Sequence, residues 1–327
     1  MQSLIRKQLL EAFSEAEGNF VSGQIISDLL GCSRTAVWKH IEDLRKEGYE
    51  LEAVRRKGYR ILSKPDSISG DAVAIGLKTR YMGRQIVHEQ SAGSTQKIAH
   101  SFAAEGAPEG TVVFAEEQTE GRGRMSRSWH SPKGTGIWMS MILRPSIPVN
   151  KTPQLTLLTA VAIVQAIEEV TGLHPVIKWP NDIMMNGKKL VGILTELQAE
   201  ADGVHSVIIG CGINVNQQIN DFPEELRNIA TSVMIEKKES INRALLIQHI
   251  LFRFEELYEQ YLQHGFSPVK LLWEAYAISL NRQIIARTLH GSVKGKAVGI
   301  DDDGVLLVHT YDGRIEKIYS ADIEIDC

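Results

Sequence analysis

Gly121-Arg122-Gly123-Arg124-Met125-Ser126-Arg127-Ser128-Trp129 comes shortly after a strand-like run from Thr111 to Gln118. Its two glycines allow backbone dihedrals and a close backbone approach that other residues resist. Arg122 and Arg124 carry planar, permanently charged guanidinium groups that suit a carboxylate or a phosphate. The stretch therefore predicts a loop that wraps a small anion. Taken alone, it is equally consistent with a flexible basic surface loop.

The composition is that of an ordinary globular protein. The chain has 327 residues, of which 43% are hydrophobic and 23% charged, enough for two or three domains. We find no apolar run of bilayer-spanning length and no signal peptide at the start, so we expect a cytoplasmic protein without a membrane partner. Cys32, Cys211 and Cys327 are odd in number and scattered. We therefore expect no disulfide framework and no zinc cluster, and we predict no metal-binding residue.

The N-terminal part has the pattern of a winged helix-turn-helix. Residues 1–64 hold 11 Lys/Arg against 9 Asp/Glu, whereas the remainder holds 25 against 31. Apolar residues at helical spacing predict three short helices; Ser22-Gly23 opens the second, Gly31-Cys32 ends it, and Ser33 caps the third. The alternation from Tyr49 to Ile61 predicts a hairpin with a basic tip, which would be the wing.

This pattern favours DNA binding. A short helix fits the major groove with its N-terminal side chains at base edges, and a basic hairpin beside it can contact phosphates. The predicted DNA-binding residues are Ser33, Arg34, Thr35, Trp38 and Lys39 of the third helix and Arg55, Arg56 and Lys57 of the hairpin tip. The alternative is a winged helix used for protein contacts or dimerisation, with Trp38 as a packing residue.

The rest of the chain predicts two further domains. Lys64–Gly70 has linker composition, and residues 282–325 read as about five short strands separated by turns. We therefore predict an α+β protein with a winged helix-turn-helix domain at 1–64, a central α+β domain at 65–280 and a small β-barrel-like domain at 281–327. In the central domain, Asn186-Gly187 between two strand-like runs is a strong hairpin signal.

Two features of the central domain have both functional and structural interpretations. The hydroxyls of Ser94-Thr95 precede an amphipathic helix and could cap it or bind a polar ligand. Gly210-Cys211-Gly212 lies in a predicted strand, where missing side chains suit close approach by a ligand or by another backbone, or a bulge that curves the sheet.

Several motifs in order resemble the bifunctional biotin–protein ligase/biotin-operon repressor family. They are Gly121-Arg122-Gly123-Arg124 with Trp129, Lys178-Trp179-Pro180-Asn181-Asp182, Lys189, Gly192-Ile193-Leu194, Gly210-Cys211-Gly212-Ile213-Asn214-Val215-Asn216 and the N-terminal helix-turn-helix. The resemblance covers the whole chain. It implies a mixed-sheet, class II synthetase-like central catalytic domain and an SH3-like C-terminal β-barrel.

The resemblance implies an ATP-dependent biotin–[acetyl-CoA-carboxylase] ligase. Biotin would attack the α-phosphate of ATP to give biotinyl-5′-AMP and pyrophosphate. A lysine of a biotin carboxyl carrier protein domain, of acetyl-CoA carboxylase or another biotin-dependent carboxylase, would then take the biotinyl group. Mg²⁺ is expected to accompany ATP, but no motif fixes its ligands.

The resemblance also implies roles for particular residues. The implied biotin-binding residues are Ser94, Thr95, Gln96, Gln118, Arg122, Gly123, Arg124, Lys189, Gly210 and Gly212, and the implied adenylate-binding residues are Trp129, Asn181 and Asn214. Because both reactants of the first step are anions, Arg122, Arg124 and Lys189 are suited to neutralising them. Asp182 is either the group that orients or deprotonates the acceptor lysine, or a cap for the turn after Pro180.

The family further implies a regulatory switch. The adenylate would order loops such as Gly121–Ser128 and Asn216–Pro223, promote a homodimer, and so pair two winged helices on an operator.

The chain departs from the family pattern at two places. The family loop often has a basic residue and glycine where this chain has Met125-Ser126, and Gln96 follows Ser94-Thr95 where the family has asparagine. The alternatives are a lipoyl-type protein ligase and a biotin-sensing repressor without catalysis.

Overall fold

Three helices and a hairpin form the N-terminal part of the protein. The computed structural model of the chain describes residues 2–16, 18–200, 203–289 and 291–325, so Cys327 lies outside the described residues. The first elements are α1 (Gln2–Glu15), α2 (Gly23–Leu30), α3 (Arg34–Lys46), β1 (Glu50–Val54), β2 (Gly58–Ser63) and α4 (Gly70–Ala74). The predicted winged helix-turn-helix is confirmed.

The helix boundaries follow from capping. Ser22 accepts a hydrogen bond from the amide of Ile25 (3.1 Å), and Ser33 accepts one from the amide of Ala36 (3.2 Å). Gly31 ends α2 in the left-handed region, where a residue without Cβ meets no steric penalty. The apolar faces of the helices meet in one core, formed by Leu9, Leu10, Phe13, Ile26, Val37, Ile41 and Leu44 among others.

The hairpin β1–β2 is joined to the segment before α2. Val21 and Tyr59 exchange two backbone hydrogen bonds of 2.8 and 2.9 Å. Gly58 makes this contact possible, because it has φ +109° and a Cβ there would lie 2.0 Å from the carbonyl oxygen of Val21. The position of the wing relative to the first helices therefore depends on this glycine.

Replacing Gly58 by alanine will destabilise the N-terminal unit by about 2–3 kcal/mol, through backbone strain and the clash with Val21. The change is measured as the free energy of unfolding in urea. Gly18→Ala is the matched control, since Gly18 also has positive φ but no described atom lies within 4 Å of its Cβ position. An equal loss in both variants would show that strain alone, and not the clash, carries the effect.

A mixed seven-stranded sheet organises the central region. Its strands are β3 (Ile86–Glu89), β4 (Val112–Ala115), β5 (Gly136–Leu143), β6 (Val176–Lys178), β7 (Asp182–Met185), β8 (Lys188–Glu200) and β9 (Gly203–Asn214). Their order is β3-β4-β5-β9-β8-β7-β6, with β3 and β4 parallel and all other neighbours antiparallel. The hairpin at Asn186-Gly187 is confirmed, and both residues have positive φ as a tight hairpin turn requires.

Helices pack against this sheet. Those that contact it are α5 (Thr95–Ala104), α6 (Thr152–Thr171) and α9 (Ser267–Tyr276). The remaining helices before the C-terminal strands are α7 (Val233–Lys237) and α8 (Arg243–His264). α5 contacts β4, β5 and β9, and α6 contacts β6, β7, β8 and α9. By length and composition the segment Val149–Thr171 could span a bilayer, contrary to our expectation from the sequence. However, 72% of its most apolar 18-residue stretch is buried inside the fold.

The C-terminal strands form a separate antiparallel sheet. They are β10 (Gln283–Thr288), β11 (Gly291–Ile300), β12 (Leu306–Thr310), β13 (Ile315–Ile318) and β14 (Asp322–Ile325), in the order β13-β12-β11-β10-β14. The predicted α+β class and five-stranded C-terminal domain are confirmed.

The chain divides into two compact units, one of Met1–Lys78 with Asn242–Gln248 and one of Thr79–Ile241 with His249–Cys327. The domain limits 1–64, 65–280 and 281–327 stay predictions.

Candidate functional site

A cavity of about 520 Å³ lies over the middle of the seven-stranded sheet. The loop from Gly121 to Trp129, the start of α5 and strands β5, β7, β8 and β9 all contribute to it. It is lined by all 14 residues for which the sequence implied a ligand-binding or catalytic role: Ser94, Thr95, Gln96, Gln118, Arg122, Gly123, Arg124, Trp129, Asn181, Asp182, Lys189, Gly210, Gly212 and Asn214. Their individual roles stay predictions.

One end of the cavity is polar but uncharged. The side-chain oxygen of Gln118 accepts hydrogen bonds from the backbone amide (2.9 Å) and the hydroxyl (3.1 Å) of Thr95. Ser94 occupies the N-cap position of α5 but does not cap it through its side chain, and its hydroxyl forms no hydrogen bond with the described residues. Ser94 is only 3% exposed. Side-chain capping therefore does not account for this buried hydroxyl, which is available to a polar ligand.

Two serines extend the hydrogen bonds at this end, and neither was predicted from the sequence: Ser140 lines the cavity, and Ser131 lies behind Gln118. Ser140 lies 2.9 Å from the hydroxyl of Thr95 and donates to the side-chain oxygen of Gln96 (3.0 Å). Ser131 accepts from the side chain of Gln118 (3.0 Å). The signal for Ser140 was present, because it is the single polar side chain in the otherwise apolar strand Gly136–Leu143.

The opposite end of the cavity carries the charge. Lys189 and Asp182 form an ion pair of 2.7 Å between neighbouring strands β8 and β7. The ammonium group of Lys189 also lies 5.3 Å from the ring centroid of Trp129. No hydrogen bond joins the Asp182 carboxylate to the turn after Pro180 within the described residues, so a capping role has no support in these contacts.

Arg124 is held from two sides. It donates to the side-chain oxygen of Asn181 (2.9 Å) and to the hydroxyl of Ser320 (2.7 Å), which lies just before β14. Burial lowers the pKa of Arg124 below its usual value, although Asp182 and Asp322 oppose the shift. A guanidinium is protonated throughout the pH range in which proteins work, so Arg124 stays charged at neutral pH.

Arg122 and Arg127 of the Gly-Arg loop are both exposed but differ in their contacts. Arg122 is exposed and donates no hydrogen bond to any described residue, which leaves its guanidinium available to an anion. Arg127 pairs with Asp322 at 2.5 Å. Met125 and Ser126 both have positive φ, so the backbone keeps a glycine-like conformation at the two positions that depart from the family pattern.

The glycines of β8 and β9 accommodate side chains of the protein itself. A Cβ on Gly212 would lie 2.3 Å from the indole nitrogen of Trp129, and one on Gly192 would lie 2.8 Å from the same ring. A Cβ on Gly210 would lie 2.6 Å from the side-chain oxygen of Gln96. Close approach by Trp129 and Gln96 therefore explains these glycines, and their contact with a ligand stays a prediction.

Two further residues of the cavity lining, Asn214 and Cys211, are buried. Asn214 is buried and accepts a hydrogen bond from Gln217 (3.2 Å). Burial raises the pKa of the Cys211 thiol to about 12, so this cysteine is neutral at pH 7 and unsuited to act as a nucleophile. Among the described residues, no group of three or more His, Cys, Asp or Glu converges on a point where a metal ion could bind.

The predicted DNA-binding residues lie at the surface of the N-terminal unit. Ser33, Arg34, Thr35, Trp38 and Lys39 are exposed at the start of α3, and Arg55, Arg56 and Lys57 are exposed at the hairpin tip. Trp38 is 56% exposed, so it is not a packing residue within this unit. Ser33 caps α3, and Arg34 donates to Gln24 (2.7 Å).

For the transfer step that the sequence resemblance implies, a general-base role of Asp182 predicts that Asp182→Asn slows transfer from a preformed adenylate to an acceptor lysine by about 10²-fold. Adenylate formation should fall less, because Lys189 keeps its charge. The two half-reactions are measured separately. Glu105→Gln, at an exposed carboxylate outside the cavity lining and outside the loops named above, is the control. Unchanged transfer in Asp182→Asn would refute the assignment of a base.

Family models match the chain in the order of its domains. The HTH domain matches residues 5–60, the biotin/lipoate A/B protein ligase family matches 86–214, and the biotin protein ligase C-terminal domain matches 279–326. Fold and site together thus define a protein ligase of the biotin/lipoate class that carries a helix-turn-helix domain.

Known relatives narrow the class. The bifunctional ligase/repressor BirA of Bacillus subtilis (strain 168) is 62% identical over 325 residues, covering 99% of this chain and 100% of the relative. The biotin–[acetyl-CoA-carboxylase] ligase of Paracoccus denitrificans is 33% identical over 62% of this chain and 85% of its own length. The structure of the Aquifex aeolicus biotin protein ligase in complex with biotin and ATP matches with a TM-score of 0.65 and 29% identity, covering 74% of this chain and 99% of that one. The chain belongs to the BirA family of bifunctional ligase/repressors.

Proposed function

We propose that the protein joins biotin to ATP, transfers the biotinyl group to a lysine of a carrier protein, and represses transcription through its winged helix. The observation that carries the catalytic proposal is the division of one cavity into an uncharged polar end, at Thr95 and Gln118, and a charged end, at Arg124 and Lys189. The first suits a neutral head group with donors and acceptors. The second suits a carboxylate beside a phosphate.

In the first step, a carboxylate oxygen of biotin attacks the α-phosphorus of ATP and the bond to pyrophosphate breaks. Both reactants are anions, so positive charge must be present where they meet. Lys189 and the guanidinium groups of Arg122 and Arg124 supply it, and Asn181 and Ser320 fix the direction of Arg124. Trp129, Asn181 and Asn214 are the residues proposed to hold the adenylate.

In the second step, the amine of the acceptor lysine attacks the acyl carbon, and AMP leaves as the amine loses a proton. Asp182 lies at the charged end and is proposed to orient the amine or accept that proton. Its pairing with Lys189 keeps the carboxylate at one position on β7. The proposed acceptor is a biotin carboxyl carrier protein domain of acetyl-CoA carboxylase or another biotin-dependent carboxylase.

Mg²⁺ is proposed to enter with ATP, where it would neutralise phosphate charge. Mg²⁺ commonly keeps several waters and binds through substrate phosphates, which fits a chain whose described carboxylates form no cage for it. We assign no residue of the protein as its ligand. We also propose a cytoplasmic location, where both carrier proteins and DNA are found.

The repressor activity is proposed to depend on a ligand-promoted homodimer. Two winged helices related by a two-fold axis would contact two half-sites of an operator, with α3 at base edges and Arg55, Arg56 and Lys57 at phosphates. Biotinyl-5′-AMP would be the corepressor. It could act only by binding the dimer-competent state more tightly than the monomer.

The catalytic proposal is tested by incubating the full chain with ATP, Mg²⁺, biotin and a purified carrier domain, and following the mass of the carrier. A biotin-sized increase is expected, and none when the acceptor lysine of the carrier is replaced by arginine. Lipoate in a parallel reaction tests the lipoyl-type alternative. No increase with either acid, together with biotin-dependent DNA binding, would establish a repressor without catalysis.

The DNA-binding proposal is tested with operator DNA at several salt concentrations, with and without biotin and ATP. Replacing Arg55, Arg56 and Lys57 by alanine should reduce the salt slope of log K by roughly 0.9 for each phosphate that the variant no longer neutralises. Ligase activity should be unchanged in this variant. An unchanged slope would exclude the wing from the DNA interface.

A further inference from the structure

The side chain of Gln96 lies across the uncharged end of the cavity. It is 3% exposed, and its amide nitrogen donates to the carbonyl oxygens of Ile208 (3.2 Å) and Leu194 (3.4 Å) on neighbouring strands β9 and β8. Its oxygen accepts from Ser140 (3.0 Å). Three hydrogen bonds therefore fix the amide, so it acts as part of the cavity wall and not as a mobile side chain.

Gly210 provides the space that this amide occupies. A Cβ at Gly210 would lie 2.6 Å from the oxygen and 3.3 Å from the amide carbon of Gln96, whereas the nearest backbone atom, the oxygen of Leu194, is 3.5 Å away. Gly210 lies within strand β9 and its φ is not positive, so alanine would be tolerated by the backbone. Among the described residues, the obstacle to a larger side chain at this position is Gln96.

We propose that Gln96 and Gly210 form a matched pair that closes the uncharged end of the cavity and sets the size of the head group bound there. This inference rests on the proposed function. The pair makes Gln96 a specificity-determining residue, because a side chain one methylene shorter would withdraw the amide from its position over Gly210 and leave that much more room at the cavity end. One methylene of misfit in a binding pocket typically changes kcat/KM by about 10–200-fold.

The pairing is tested with Gly210→Ala, Gln96→Asn and the double variant, using biotin-dependent pyrophosphate release. Gly210→Ala should lower kcat/KM for biotin by about 100-fold and Gln96→Asn by about 10-fold. The kcat/KM of the double variant for biotin should exceed that of Gly210→Ala by about 10-fold, because the shorter asparagine side chain leaves room for the new methyl group. A double variant no better than Gly210→Ala overturns the proposal.

Gly212→Ala is the matched control. It adds the same methyl group two residues further along β9, where the Cβ would meet the indole of Trp129 instead of Gln96. Gln96→Asn should therefore fail to rescue it. Equal rescue of both alanine variants would mean that Gln96→Asn acts by a general loosening of the site, and would also overturn the proposal.

If Gly210→Ala does not fold, a second measurement still tests the proposal. Gln96→Asn alone is assayed with biotin and with biotin analogues that carry one extra methyl group on the bicyclic head group. The ratio of kcat/KM for the best analogue to that for biotin should rise by about 10-fold over the wild-type ratio. An unchanged ratio contradicts the inference. Absence of biotin-dependent pyrophosphate release in the wild-type protein would instead refute the proposed function.

Discussion

Replacing Lys189 by glutamine will lower the rate of adenylate formation by about 10²–10³-fold, the usual cost of removing one preorganised group that stabilises developing charge. Glutamine keeps most of the side-chain volume but removes the positive charge. It also leaves the Asp182 carboxylate, which pairs with the Lys189 ammonium at 2.7 Å, as an unbalanced anion where two anionic reactants must meet. The rate is measured as biotin-dependent pyrophosphate release.

Lys188→Gln is the control for Lys189→Gln. Lys188 is the preceding residue of the same strand, its ammonium donates to the carbonyl oxygen of Arg227 (3.1 Å), and it does not line the cavity. We expect its rate to stay within about 3-fold of wild type. Equal rates for Lys189→Gln and the wild type would show that the charge of Lys189 is not used in adenylate formation.

Replacing Glu255 by alanine will destabilise the larger unit by about 3–5 kcal/mol. The carboxylate of Glu255, on α8, is 7% exposed and accepts the backbone amides of Arg80 (2.6 Å), Tyr81 (3.0 Å) and Met82 (2.9 Å). Alanine leaves these three amides without their acceptor. The amide of Met82 is buried, so water cannot replace the carboxylate there. The change is read from the free energy of unfolding and the melting temperature.

Glu259→Ala separates this effect from simple loss of an ion pair. Glu259 lies one helical turn further along α8 and pairs with the exposed side chain of Arg80. A surface pair of this kind contributes about 0–1 kcal/mol. Comparable losses in Glu255→Ala and Glu259→Ala would show that the ion pairs, and not the three amides, account for the stability.

Much of the fold could be predicted because its signals are local. Ser22, Gly31 and Ser33 bound the helices through contacts with residues three or four positions away. Asn186-Gly187 allows the positive φ values of a tight turn, which fixes the hairpin and its register. Such signals do not depend on the rest of the chain, and the structure confirms them.

The parts that could not be predicted depend on contacts between distant segments. Arg124 meets Ser320, which is 196 residues away, and Gln96 meets strand β9, which is 112 residues away. No local pattern records either contact. The occupation of Gly210 by Gln96 also required the structure, because a glycine in a strand indicates only that something approaches closely.

The charged end of the cavity is built from two kinds of backbone. The hairpin β7–β8 carries both Asp182 and Lys189, whereas a loop carries the arginines. The carboxylate and the ammonium group belong to adjacent paired strands joined by one tight turn, with a register shift between Ile183 and Met184, so both partners of the 2.7 Å ion pair lie on one hairpin. Arg124 and Arg127, in contrast, come from a loop that contacts Ser320 just before β14 and Asp322 at the start of β14. A displacement of this loop would break the contacts of Arg124 and Arg127 with Ser320 and Asp322, while the lysine–aspartate ion pair would keep both of its partners on one hairpin.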